Sequence, residues 1–170
     1  MSSLNYADAM NPKPTPEIDA PTPVERAGRV ATPALVLGAS GLVPFIGLAA
    51  LTAFGPVSWY AYWLAALSYY GAVILTFVGA LHWGYAVCRA TVGAHAWVKY
   101  GFSVAPALAA WLSLLLPVWT ALQVQASALA LVYAFDRCTA HGDALPSGFL
   151  RMRAMLTAVG AASLLFASLA

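Results

Sequence analysis

The sequence predicts an all-α protein, a polytopic membrane helical bundle of five transmembrane helices. Of its 170 residues, 62% are hydrophobic and only 8% are charged, whereas soluble domains carry about 25% charged residues. Apolar stretches of about twenty residues recur along the chain, and each can cross a hydrocarbon core of about 30 Å. Short turns or polar loops separate these stretches, so consecutive helices are expected to run antiparallel.

The chain divides into an amino-terminal tail and a membrane body. Residues 1–28 combine five prolines and four acidic residues with only two basic residues. This composition is typical of neither a secretory signal nor a mitochondrial presequence, and it predicts a flexible, Pro-rich cytoplasmic arm. Residues 29–170 are expected to form the bundle. Its predicted spans are about 33–54, 63–87, 97–116, 120–136 and 149–169.

The basic residues predict the orientation of the bundle. All eight lie in the tail or beside the loops that follow the second and fourth spans. Because basic loops stay on the cytoplasmic side, the amino terminus is predicted to be cytoplasmic. Five crossings then place the carboxyl terminus outside. The basic residues are Lys13, Arg26, Arg29, Arg89, Lys99, Arg137, Arg151 and Arg153.

The second span carries an ionisable residue, His82, inside the apolar run 69–89. It lies about 10 Å below the predicted cytoplasmic surface, where an ionisable side chain needs a partner. One interpretation is a packed histidine that bonds a backbone carbonyl or a hydroxyl such as that of Ser103. The other is a ligand or proton site, because imidazole titrates near neutral pH and can bind a quinone oxygen or a metal. Residues expected at helix contacts or bends are Gly71, Gly79, Gly84 and Pro106.

Asp136 closes the predicted fourth span at the same level as Arg89, Arg151 and Arg153. One interpretation is an interfacial network of ion pairs that clamps the second, fourth and fifth spans together. The other is a small pocket for an anionic headgroup or a quinone, with His82 above it. The order of helices around the bundle decides whether His82 meets Asp136, and the sequence leaves that order open.

The sequence predicts no cofactor, no metal and no enzymatic activity. A bis-histidine haem needs two histidines inside spans, and only His82 lies in one. Cys88, His95, Cys138 and His141 lack the spacing of a zinc finger. The chain has no nucleophile elbow, phosphate-binding glycine loop or metalloprotease helix. Its basic residues do not cluster as nucleic-acid binding requires, so no nucleic-acid partner is expected.

Four stretches of this chain carry a resemblance to a known family. They are GASGLVPFIGLA in the first span, YYGAVILTFVGALHWGYA in the second, SVAPALAAW in the third and PSGFLRMRAMLT at the start of the fifth. With Asp136 they resemble a family found in many bacteria that includes the mitochondrial transmembrane protein 69. The chain departs from the family at Gly148 and Phe149, where the family has Trp-Tyr. The resemblance implies a multi-span topology in an energy-transducing membrane, here the bacterial inner membrane.

The predicted function is binding without catalysis. The chain is expected to be an accessory or assembly subunit of a larger respiratory or photosynthetic membrane complex. Its expected partners are membrane lipids and other integral membrane subunits. One alternative is a small quinone- or lipid-binding protein that uses His82, and another is a small transporter.

Overall fold

The computed structural model describes residues 32–88, 93–143 and 147–170. This part of the chain is helical apart from short turns, and the predicted tail lies outside it. A short 3₁₀ turn, Val57–Trp59, precedes the third helix. The α-helices are α1 (Thr32–Ser40), α2 (Leu42–Phe54), α3 (Tyr60–Cys88), α4 (Ala94–Ser113), α5 (Val118–Asp143) and α6 (Ser147–Leu169).

Four segments of the described chain are long and apolar enough to cross a membrane, so this is a multi-span membrane protein. They are Thr32–Phe54, Val57–Cys88, Val118–Thr139 and Gly148–Leu169. Helix α4 overlaps the third predicted span and carries Lys99 in its second turn, but it is not one of the four. The five crossings and the orientation of the termini therefore stay predictions.

The first span is interrupted at Gly41, between α1 and α2. Pro44 lacks an amide hydrogen, and its ring collides with the carbonyl four residues earlier, that of Ser40. The helix accordingly ends at Ser40 and begins again at Leu42. The hydroxyl of Tyr70, on α3, donates a hydrogen bond of 2.7 Å to the Gly41 carbonyl. The interruption is thus fixed against α3.

Helix α3 lies at the centre of the fold and packs on α4, α2 and α5, while α5 and α6 form an antiparallel pair. Helix α6 also packs against α2. The face of α3 that carries Gly71 and Gly79 points inward, and residues at helical steps of three and four share that face. Its buried members are Gly71, Leu75, Val78, Gly79 and Ala86.

Two glycines of α3 allow close approach of neighbouring helices. A Cβ atom on Gly79 would lie 2.6 Å from the Ser103 carbonyl oxygen and 3.2 Å from Cβ of Pro106, which stays inside α4. A Cβ atom on Gly71 would collide with Oε1 of Gln125. Gly84 was also expected at a helix contact. Apart from the backbone of its own helix, however, no described atom lies within 4 Å of the position that its Cβ would occupy.

Helix α5 is longer than its predicted span, which ends at residue 136. It continues to Asp143, because neither a proline nor a C-capping glycine stops it at the end of the apolar stretch. The sequence placed Asp136 at the end of the fourth span, whereas the helix continues beyond it. Asp136 lies about two turns before the end, and only 4% of its surface is exposed.

Candidate functional site

His82, Asp136 and Arg153, from α3, α5 and α6, form one cluster that we call the ion cluster. Oδ1 of Asp136 lies 2.5 Å from Nε2 of His82. Oδ2 accepts hydrogen bonds from Nε and Nη2 of Arg153, at 2.9 and 2.7 Å. Asp136 and Arg153 are buried, and 19% of the His82 side chain is exposed. One carboxylate thus links three helices.

Polar contacts at both ring nitrogens and an aromatic contact hold the His82 ring in place. Nδ1 lies 3.1 Å from the Val78 carbonyl oxygen, and a carbonyl can only accept, so Nδ1 carries a hydrogen. Phe102 of α4 and Phe135 of α5 stack with centroids 3.6 Å apart. The imidazole lies edge-on to Phe102, 5.5 Å away. Its orientation is therefore set by its neighbours.

These contacts fix the charge of the ion cluster. One proton lies between Nε2 of His82 and Oδ1 of Asp136. If it is on nitrogen, the imidazolium and carboxylate charges cancel, and if it is on oxygen, both groups are neutral. Arginine keeps its charge in proteins. In either state the ion cluster carries one net positive charge in a largely buried position.

The structure brings together three of the five residues proposed as a polar cluster. Arg151 is exposed on α6, and Arg89 lies outside the described residues. The hydroxyl proposed as a partner of His82, that of Ser103, instead donates to the Tyr100 carbonyl at 2.6 Å. The second span thus joins the network through His82, and the network is buried where an interfacial one was expected.

A partly open cavity of about 470 Å³ lies beside the ion cluster, between α3, α5 and α6. We call it the head cavity. Its wall is mostly apolar, and Gly84 contributes to it, which explains the empty space at that glycine. Nζ of Lys99 lies 5.7 Å from the ring centroid of Tyr85, another wall residue. The described wall residues are Ala80, Leu81, His82, Gly84, Tyr85, Cys88, Asp136, Thr139, Phe149 and Arg153.

A second polar cluster, which the sequence analysis did not identify, surrounds Gln125 in α5. Its Nε2 donates to the hydroxyls of Ser113, at 2.9 Å, and Ser68, at 3.3 Å. Gln125 is fully buried, and its Oε1 has no hydrogen-bond partner among the described residues. A glutamine inside an apolar span was the signal that could have found it.

Within the described residues, no three His, Cys, Asp or Glu side chains converge as metal ligands would. Cys88 and Cys138 are exposed free thiols. The side chains of His95 and His141, the other two candidates for zinc, lie outside the description.

Comparison with known proteins places this architecture in a family. Residues 30–169 match the sequence model of the family described as "Protein of unknown function (DUF3429)". The chain is 35% identical over 136 residues to "Transmembrane protein 69" of Xenopus tropicalis, covering 78% of this chain and 52% of that protein. It therefore spans about half the length of this relative. No solved structure matches the chain. The match over nearly the whole membrane body shows that this chain belongs to the DUF3429 family.

Proposed function

We propose that this protein is a non-catalytic integral membrane protein that binds an amphiphilic membrane ligand, a lipid or a quinone, in the head cavity. The observation that carries the proposal is a buried, charged cluster in the wall of an otherwise apolar cavity. Ligand sites in proteins combine apolar walls with a few placed polar groups, in volumes of about 300–1,000 Å³. A membrane protein rarely keeps such a cluster without a partner or a role for it.

The hydrogen bonds of the ion cluster favour binding over catalysis. A general base needs a free lone pair within reach of its substrate. Both nitrogens of His82 and three of the about four acceptor positions of Asp136 are already engaged. These groups are therefore suited to hold a ligand by charge and shape, not to move its protons.

The test is to identify what the protein carries out of its own membrane. The chain is purified in a mild detergent, the visible spectrum is recorded, and bound lipids and quinones are extracted and identified by mass spectrometry. We expect one amphiphile in stoichiometric amount, and its loss in His82→Ala. Thr76→Ala is the matched control, because Thr76 is a polar residue of α3 on an exposed face. Equal ligand content in both variants would contradict the proposal.

A role as an accessory or assembly subunit of a larger complex is the second candidate. It is favoured by an exposed face of α2. Apart from the backbone of its own helix, no described atom lies within 4 Å of the Cβ position of Gly47, and Ala50 is one turn away. Small residues allow another helix to approach closely. The partner would be an integral subunit of a respiratory or photosynthetic complex. On native gels we expect the wild type to migrate in a larger complex and the Gly47→Leu variant to migrate as a monomer. A wild-type protein that migrates only as a monomer would contradict this role.

The proposed location is the bacterial inner membrane, with five crossings and a cytoplasmic amino terminus. Its support is the position of four basic residues. Lys99, Arg151 and Arg153 lie near the N-terminal ends of α4 and α6, and Arg137 lies towards the C-terminal end of α5. Antiparallel packing brings these ends to one side of the bundle, as expected for basic residues beside cytoplasmic loops. Reporter fusions after residues 54, 116 and 170 test it. We expect all three fusions to report the outer side, and a cytoplasmic signal from any one would refute five crossings in this orientation.

A further inference from the structure

We propose that the ligand of this site is an anionic amphiphile, with its phosphate or carboxylate in the head cavity and its hydrocarbon chain in a second cavity next to it. This inference rests on the proposed function and specifies its ligand. The second cavity, which we call the chain cavity, has a volume of about 390 Å³ and lies between α1, α2, α3 and α6, with Leu129 of α5 also in its wall. The two cavities share the wall residues Leu81, Phe149 and Arg153.

The charges around the head cavity call for an anion. The ion cluster contributes one net positive charge to the wall of this cavity. Asp136 is the carboxylate among the described wall residues, and it is already engaged by His82 and Arg153. A net charge in a low-dielectric setting is costly without a counter-ion. An anionic head would supply that counter-ion, whereas a neutral quinone would not.

Arg153 can hold such a head while it holds Asp136. A guanidinium has five N–H donors in a planar fork, and Asp136 engages Nε and Nη2. The same guanidinium belongs to the wall of both cavities. It therefore lies where the head of an amphiphile joins its chain. Arginine is suited to this task because its fork fits phosphate and carboxylate oxygens.

The chain cavity has the shape and lining that a hydrocarbon chain needs. Apart from Arg153 and Thr157, its described wall consists of apolar side chains and glycines. It extends along α3 from Leu81 to Ile74, a distance of about 10 Å towards the middle of the membrane. Gly38 of α1 belongs to this wall, and a Cβ atom there would be in ordinary van der Waals contact with Sδ of Met152, at 3.5 Å.

The two cavities together explain features that either one leaves unexplained. A cation site alone does not require an apolar cavity behind it, and an apolar cavity alone does not require a buried arginine at its rim. An amphiphile with one negative charge satisfies both, since its head neutralises the ion cluster and its chain fills the apolar space.

The experiment compares ligands that share a chain and differ in the charge of the head. Oleate and dioleoyl phosphatidate are added to the delipidated full-length protein in neutral detergent, against oleyl alcohol and dioleoyl phosphatidylcholine. Affinity is measured by ligand titration of the thermal unfolding midpoint. We expect the anionic members to bind at least about tenfold more tightly, as charged hydrogen bonds imply. Oleate against phosphatidate then distinguishes a carboxylate ligand from a phosphate ligand.

Two pairs of variants separate the head from the chain. Arg153→Gln should weaken binding of the anionic ligands about tenfold or more, whereas Arg151→Gln, an equal change of charge on an exposed residue, should not. Ala34→Trp, at the rim of the chain cavity, should weaken oleate binding without touching the ion cluster. Ala39→Trp is its control, because Ala39 is exposed and is not a wall residue.

The possible results distinguish this inference from the function on which it rests. Equal affinity for oleate and oleyl alcohol, or equal effects of Ala34→Trp and Ala39→Trp, would overturn the inference. A bound quinone lost in His82→Ala would overturn it as well, but would leave the proposed function standing. A protein that carries no amphiphile and binds none of the four probes would refute both.

Discussion

Removing the carboxylate of Asp136 should destabilise the fold strongly, and the size of the effect should depend on the replacement. Asp136→Ala leaves the guanidinium of Arg153 without its counter-charge in a position that is 6% exposed. Breaking one partner of a buried pair costs about 3–5 kcal/mol. Asp136→Asn keeps the shape, so its amide can donate to Nε2 of a neutral His82 while its oxygen accepts from Arg153. Only the charge assistance is lost, and we expect a cost of about 1–3 kcal/mol.

A double replacement supplies the internal control. Asp136→Leu with Arg153→Met removes both charges and fills the space with apolar side chains. Replacing a buried ion pair in this way is often neutral or stabilising. The double variant should therefore be more stable than Asp136→Ala, although it carries one more substitution.

The free energy of unfolding is measured by titrating the protein in neutral micelles with a denaturing detergent, following helicity by circular dichroism. The expected order of stability is wild type, Asp136→Asn, Asp136→Ala, with the double variant above Asp136→Ala. An Asp136→Ala protein within about 0.5 kcal/mol of wild type would behave like a surface variant. That result would refute the buried ion cluster as a support of this fold.

Three further predictions follow from other contacts. Gly79→Ala should cost about 1–3 kcal/mol of stability by overpacking, because its Cβ would meet a backbone oxygen at 2.6 Å. Gly84→Ala should instead be neutral or stabilising by up to about 1 kcal/mol. The same detergent titration tests both variants, and equal effects would refute the close contact at Gly79. Gln125→Leu should keep or raise stability. It removes a buried oxygen that has no partner among the described residues, and the hydrogen bonds that it loses average only about 0.6 kcal/mol each in membranes. A cost above about 2 kcal/mol in the detergent titration would contradict this prediction. An impermeant maleimide should label the exposed thiols of Cys88 and Cys138 only after the cells are opened, and labelling of intact cells would refute the predicted orientation.

The helical class and the need of His82 for a polar partner could be predicted from the sequence because both depend on one segment at a time. An apolar run of sufficient length needs a membrane, and an ionisable residue inside it needs a partner. The partner itself could not be predicted. Which residue meets His82 depends on the arrangement of three helices, and the sequence of one chain does not contain that arrangement in readable form.

The choice between Arg151 and Arg153 shows the same limit within one helix. A separation of two positions on a helix corresponds to about 200° of rotation, so the two side chains point to nearly opposite sides of α6. Only one of them can face the interior, and the rotation of α6 that decides between them is set by packing on α2 and α5. The end of α5 was missed for another reason, because a helix can outlast the apolar pattern that reveals it.

The ion cluster also has a consequence for the order in which the chain acquires its structure. Its members lie in α3, α5 and α6, so a growing chain contains His82 and Asp136 before it contains Arg153. Until then the two earlier residues can share one proton and remain neutral as a pair. The net charge arrives with α6. A nascent chain can therefore place α1 to α5 in lipid while His82 and Asp136 carry no net charge as a pair, and only a chain that includes α6 holds the cation.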